Sequence, residues 1–130
     1  MALVYIAAPE GVAPGVGYTH VVTGSGRLVV VSGQIALDAD GKVVGEGDPA
    51  AQARQVFTNL RACLAAAQAT FADVVKLTYF VTDVAYLPQI RLARDEFIDS
   101  EHRPASTAVQ VAALIRPELL LEVEAWAIVP

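Results

Sequence analysis

The run Val74-Val75-Lys76-Leu77-Thr78-Tyr79-Phe80-Val81-Thr82, set after Asp48-Pro49 and a helical stretch reaching about residue 68, decides the fold. The nine-residue run is β-branched and aromatic, which suits a pleated, half-buried surface, so it reads as a strand. Upstream, Asp48 can cap a helix, and Pro49 fits its first turn because the proline's missing N–H would have no partner there. Ala53, Val56, Phe57, Leu60, Cys63, Leu64 and Ala67 recur at i, i+3, i+4 and i+7, with Arg54, Gln55, Thr58, Arg61 and Gln68 largely off that stripe. The spacing predicts a helix over about 49–68. A helix followed directly by a strand, with further strands on either side, is an α+β pattern.

Working outward, residues 18–23 and 28–32 read as strands joined by Gly24-Ser25-Gly26, a three-residue connection suited to a hairpin. Asp38 to Gly47 is a turn-rich loop. Beyond Asp83–Pro88, Leu87, Ile90, Ala93, Phe97 and Ile98 mark a second amphipathic helix that stops before Arg103-Pro104. Residues 106–114 and 119–129 read as two closing strands. Alternation along the last puts Leu119, Leu121, Val123, Ala125, Ala127 and Val129 on one face. Leu120, Glu122, Glu124, Trp126 and Ile128 take the other, a mixture of carboxylates and large apolar groups that a subunit interface with a pocket would explain.

Length and composition set the limits. The 130 residues fit one domain, 1–130. Hydrophobic residues are 55% and charged residues 18%, more apolar surface than a small monomer hides, which predicts an oligomer. A net charge of −5 with scattered basic residues argues against a nucleic-acid partner. No segment reaches the ~20 apolar residues of a membrane span. The start of the chain is a poor signal peptide, so the expected location is cytoplasmic. The single cysteine, Cys63, falls on the apolar stripe and reads as a core thiol, excluding an internal disulfide or a multi-cysteine metal site. His20 and His102 are too isolated for zinc, and the glycines fit neither a dinucleotide fingerprint nor a phosphate loop. No metal and no cofactor are expected.

Four places read as a site. Gly33, in Ser32-Gly33-Gln34, either serves a bend or, lacking a Cβ, lets a ligand oxygen reach its backbone N–H. Glu122 is either a solvated carboxylate or, beside a cleft, a group that orients and activates water. Tyr18 is a strand aromatic or a pocket hydroxyl. The stretch Arg103-Pro104-Ala105-Ser106-Thr107-Ala108 completes the set.

Gly17-Tyr18, Ser32-Gly33-Gln34, Ala51-Gln52-Ala53-Arg54-Gln55 with Asn59-Leu60, Val74 to Asp83, Arg103 to Thr107 and Glu122-Val123-Glu124-Ala125 occur in an order that resembles the reactive-intermediate deaminase family, RidA/YjgF or L-PSP. The resemblance covers nearly the whole chain. It implies a chorismate-mutase-like fold, a mixed six-stranded sheet with two helices on one face. It also implies a homotrimer around a central barrel, with small-molecule clefts between subunits. The implied activity is cofactor-free hydrolysis of enamines and imines, with Glu122 and Gly33 as catalytic groups. Tyr18, Ser32, Gln34, Ser106, Thr107, Ala108 and Arg103 would be ligand-binding. A non-catalytic ligand-binding or holdase-like trimer is the alternative. A ribonuclease activity fits the acidic chain least.

The chain departs from the family at one decisive place. Aligned on Val109-Gln110-Val111-Ala112, Ser106 stands where the deaminase branch has the arginine that pairs with a substrate carboxylate, and Ala108 replaces the family cysteine. A hydroxyl does not reproduce a bidentate guanidinium pair, and the loss is expected to cost about 2–5 kcal/mol of binding. Arg103 points to the other face in a regular strand, although Pro104 interrupts that regularity. Arg27, Arg91 and Arg116 of a neighbouring subunit are the other cations within conceivable reach. The backbone N–H of Ala108 survives the exchange. These groups suit a carbonyl or neutral ligand better than a carboxylate.

Overall fold

The computed structural model describes residues 2–130; Met1, the first residue of the expected 1–130 domain, lies outside the described residues. In chain order the elements are β1 (Val4–Ile6), β2 (Val21–Thr23), β3 (Arg27–Gln34), α1 (Pro49–Ala66), β4 (Val74–Val81), α2 (Leu87–Arg94), β5 (Ala105–Gln110) and β6 (Leu121–Val129). Single 3-10 turns at Phe71–Asp73 and Val84–Tyr86 lead into β4 and α2.

Helix α1 follows its sequence signals closely. The Asp48 carboxylate accepts the Ala51 N–H at 3.1 Å, capping an end that starts with proline. Ala53, Val56, Phe57, Leu60 and Leu64 are fully buried, and Cys63 and Ala67 pack at the edge of the same core. Gln52 is also fully buried. It donates to the Gly45 and Glu118 carbonyls and accepts from the Leu120 N–H, tying the loop before α1 to the start of β6. Asn59 donates to the carbonyls of Ile35 and Leu37, both 3.0 Å, and so fixes the chain just beyond Ser32-Gly33-Gln34.

Strands β3, β6, β4 and β5 form a mixed sheet in that order, with β4 and β5 parallel and the other pairs antiparallel. Both helices pack on one face, against Val29 and Val31, Leu77, Tyr79 and Val81, and Leu119 through Ala127 at every second residue, all buried. The alternation expected for β6 therefore holds residue by residue. On the opposite, helix-free face Leu28 and Val30 are 58% and 57% exposed, and Trp126 is 42% exposed. Register places Leu28 opposite Ile128 and Val30 opposite Trp126, so this apolar surface is continuous. Glu122 sits opposite Phe80, and Glu124 opposite Thr78, on the same face.

Four expectations need correction. The six strands do not form one hydrogen-bonded sheet, because β2 pairs with β1 and not with β3. The glycine-rich connection is a crossing and not a hairpin. Gly26 takes φ +145 where a Cβ would overlap the Val129 carbonyl, so the chain passes across the end of β6. The penultimate strand ends at Gln110, short of residue 114. Its partner β4 ends at Val81, whose carbonyl takes the Val111 N–H as the last ladder bond. The second helix is regular only to Arg94. From there to Ile98 the chain continues in turns whose N–H groups return to the Ala93 and Arg94 carbonyls.

Candidate functional site

Two groups of candidate residues emerge, on opposite faces of the main sheet. The first forms around Gly33. Between Val31 and Gln34, β3 advances three residues while β6 advances two, from Ala125 to Val123, so Ser32-Gly33 is a bulge. A bulge bends its strand and re-aims the side chains around it. The space it opens is filled by Glu122, for a Cβ at position 33 would overlap Glu122 Oε2. Glycine is therefore required here for the close approach of a carboxylate. Among the described residues, no cation lies within ion-pair distance of Glu122. Ser32 is exposed on the same side, and the Gln34 amide turns back to the Ser32 carbonyl at 3.2 Å.

The second group lies on the helix-facing side at the β5 edge. The parallel register sets Ser106 level with Leu77 and Ala108 level with Tyr79, so both point towards α2. They line a pocket of about 20 Å³ with Gly17, Tyr18, Tyr79, Leu87, Arg91 and Arg94. Tyr79 is buried and its hydroxyl has no hydrogen-bond partner. Burial pushes that hydroxyl up to about 12, with the Arg94 guanidinium beside it pulling the other way. Arg94 is only 6% exposed. It donates to the Gly17 carbonyl at 3.0 Å and to Asp95 Oδ1 at 2.9 and 3.1 Å.

A larger cleft, about 470 Å³, adjoins this pocket and shares Val16, Gly17, Tyr18, Arg91 and Arg94 with it. Arg103 lines the cleft but not the small pocket. Its guanidinium stands 3.3 Å from Asp95 Oδ1, the carboxylate that also holds Arg94. Gly17, at φ +80, lets both guanidinium groups pack against its backbone. Tyr18 stands edge-on to His20 at 5.2 Å between centroids. Thr107 lies apart from these groups. It faces the helix-free side, where its hydroxyl accepts from Lys76 Nζ at 2.6 Å.

Within one chain, then, Gly33 and Glu122 come together, as do Tyr18, Ser106 and Ala108. The two groups are separated by β4 and open on opposite faces. The pattern of the sequence alone did not single out Tyr79 or Arg94. A signal for Arg94 was present, since it lies four residues after Ile90 on the buried stripe of α2, where an arginine needs a local partner. Among the described residues no cluster of three or more His, Cys, Asp or Glu side chains is placed to hold a metal, and no helix is long and apolar enough to cross a membrane.

Residues 7–129 match the family model described as Endoribonuclease L-PSP. The 3-aminoacrylate deaminase RutC of Acinetobacter baylyi is 36% identical over 118 residues, 91% of this chain and 92% of that protein. The 2-iminobutanoate/2-iminopropanoate deaminase of Salmonella typhimurium is 37% identical over 106 residues, 79% of this chain and 80% of that protein. The crystal structure of the Rid-family protein YyfB from Yersinia pestis superposes with a TM-score of 0.85 at 36% identity, covering 99% of this chain and 100% of that one.

Proposed function

Because this chain belongs to the RidA/YjgF (L-PSP) family, we propose that it is a cofactor-free hydrolase of small enamines and imines. In this reading it acts as a cytoplasmic homotrimer with its sites between subunits. The observation that carries the reading is the Ser32-Gly33 bulge, which exists in a form that only glycine permits and seats an unpaired carboxylate, Glu122. The helix-free face supplies the reason to associate: Leu28, Val30, Trp126 and Ile128 make an apolar surface too continuous to leave in water. Association also answers the geometry of the candidate residues. A neighbouring copy can bring its Ser106 pocket to the Glu122 that its own chain keeps on the far side of the sheet.

The chemistry follows from these groups. Glu122 accepts a proton from water as the water oxygen bonds to the C=N carbon. The electron pair of the C=N bond moves to nitrogen, which takes a proton. In this reading the backbone N–H groups of Gly33 and Ala108 donate hydrogen bonds to developing negative charge. The carbinolamine then collapses: its hydroxyl gives up a proton as the C=O bond forms, and the nitrogen takes a proton as the C–N bond breaks, releasing ammonia and a carbonyl product. An enamine enters the same route after protonation at carbon.

The test is purified trimer with enzymatically generated 2-aminoacrylate, following pyruvate and ammonia. Release faster than the spontaneous rate is expected, and a folded trimer that gives no acceleration would reject the reading. A second reading, a ligand-binding trimer without turnover, is favoured by one observation: position 106 carries serine where the deaminase branch of the family has arginine.

A further inference from the structure

The exchange at position 106 removes a cation from β5, yet the pocket around Ser106 is not without positive charge. Two arginines of α2, a different element, line it. Arg91 and Arg94 line the same cavity as Ser106, Ala108 and Tyr18, and Arg103 adds a third in the adjoining cleft. Three of the chain's seven arginines thus gather in one place in a protein of net charge −5. Asp95 is shared between Arg94 and Arg103, and Glu101 also borders the cleft. Among the described residues Arg91 has no carboxylate within ion-pair distance.

We infer that α2 supplies the carboxylate-recognising cation of this protein. Arg91 pairs directly with a ligand carboxylate over Ser106, and Arg94 and the Tyr79 hydroxyl form the floor beneath it. The inference rests on the proposed hydrolase reading for the remainder of the site, and narrows the ligand from a neutral carbonyl compound to one bearing a carboxylate.

Three features support it. The Tyr79 hydroxyl is a buried donor without an acceptor, and an unpaired buried polar group is costly unless a ligand completes it. The small pocket, about 20 Å³, has room for one water-sized group, which one carboxylate oxygen matches. The wider cleft takes the rest of a small molecule. Arg94 is fixed by the Gly17 carbonyl and by Asp95, so it serves as a positioning residue that keeps the floor positive. Arg91 is exposed and free to turn towards a ligand.

The experiment titrates the folded protein with pyruvate and, separately, with its uncharged methyl ester, by calorimetry and by NMR of the arginine side-chain nitrogens. Expected is pyruvate binding that exceeds ester binding by about tenfold or more, the usual advantage of a charge-assisted contact. Arg91→Gln should remove that advantage, while Arg116→Gln and Arg27→Gln keep it. Equal affinity for the two compounds, no pyruvate binding, or full retention of the preference in Arg91→Gln would each overturn the inference. In kinetics on 2-aminoacrylate, Arg91→Gln should raise KM far more than it lowers kcat. Pyruvate held through Arg91 by a protein that never hydrolyses 2-aminoacrylate would sink the hydrolase reading and leave this inference standing. Hydrolysis that Arg91→Gln does not disturb would do the reverse.

Discussion

The Gly33–Glu122 side of the sheet and the Ser106 side differ in what holds them. At the first, backbone geometry does the positioning. A bulge, a residue without a Cβ and an adjacent strand fix a carboxylate, and little else is needed. At the second, the strand provides only small residues, Ser106 and Ala108, and the charged lining comes from Arg91 and Arg94 on a helix packed across it. The first arrangement constrains sequence at one position. The second leaves β5 free to change, because the charge arrives from α2. On the inference drawn above, the pocket keeps a positive lining through α2 although β5 contributes no cation to it.

The largest expected effect falls on the first side. Glu122→Gln keeps shape but removes the proton acceptor, and imine hydrolysis should drop by about 10²-fold or more at unchanged trimer content. A fall of only a few-fold would mean that the carboxylate merely completes the bulge. Gly33→Ala tests the backbone directly. The added Cβ must displace Glu122, so denaturant unfolding should report a loss of about 1–3 kcal/mol, accompanied by lost activity. An unaltered midpoint would show that the bulge tolerates a side chain.

On the second side the sign is expected to reverse. Tyr79→Phe deletes an unpartnered buried hydroxyl, so the free protein should gain about 0.5–1 kcal/mol while pyruvate binding weakens. The same variant has a signature in alkali. With the folded hydroxyl raised to about 12 and the unfolded one near 10, both are protonated below pH 10, and stability from this group is fully present there. Between about pH 10 and 12 only the unfolded chain ionises, so stability is lost as pH rises. Unfolding midpoints should fall over that window in the native protein and fall less in Tyr79→Phe. Parallel curves would place the hydroxyl in water.

The sides also differ in how far they could be read from residues alone. The alternation of β6 and the cap, proline and apolar stripe of α1 are local signals. They named both helix-facing and helix-free surfaces because a 2-residue or 3.6-residue period translates directly into a face. The face that carries Glu122 was legible for the same reason. Gly33 was legible only as a strand-end glycine without a Cβ, and the roles of the two as site residues came from the resemblance to the family. The Gly24-Ser25-Gly26 connection was not legible, since two glycines suit a hairpin and a crossing equally, and the choice depends on the Val129 carbonyl far along the chain. The short β1 carries too few residues for any period. Arg94 was hidden because periodicity counts apolar positions, and a buried arginine satisfied by Gly17 and Asp95 occupies one of them without being apolar.

The central claim is that each site joins Glu122 of one subunit to the Ser106 pocket of another, and subunit mixing tests it most directly. Glu122→Gln removes one half, and Ala108→Trp blocks the other by filling the pocket; each homotrimer, confirmed by light scattering, should be nearly inactive. Unfolded together in equal amounts and refolded, they should recover about one quarter of native activity, the statistical share of interfaces with both halves intact in a ring of three. Mixed trimers with no recovered activity would place both halves in one chain and contradict the account.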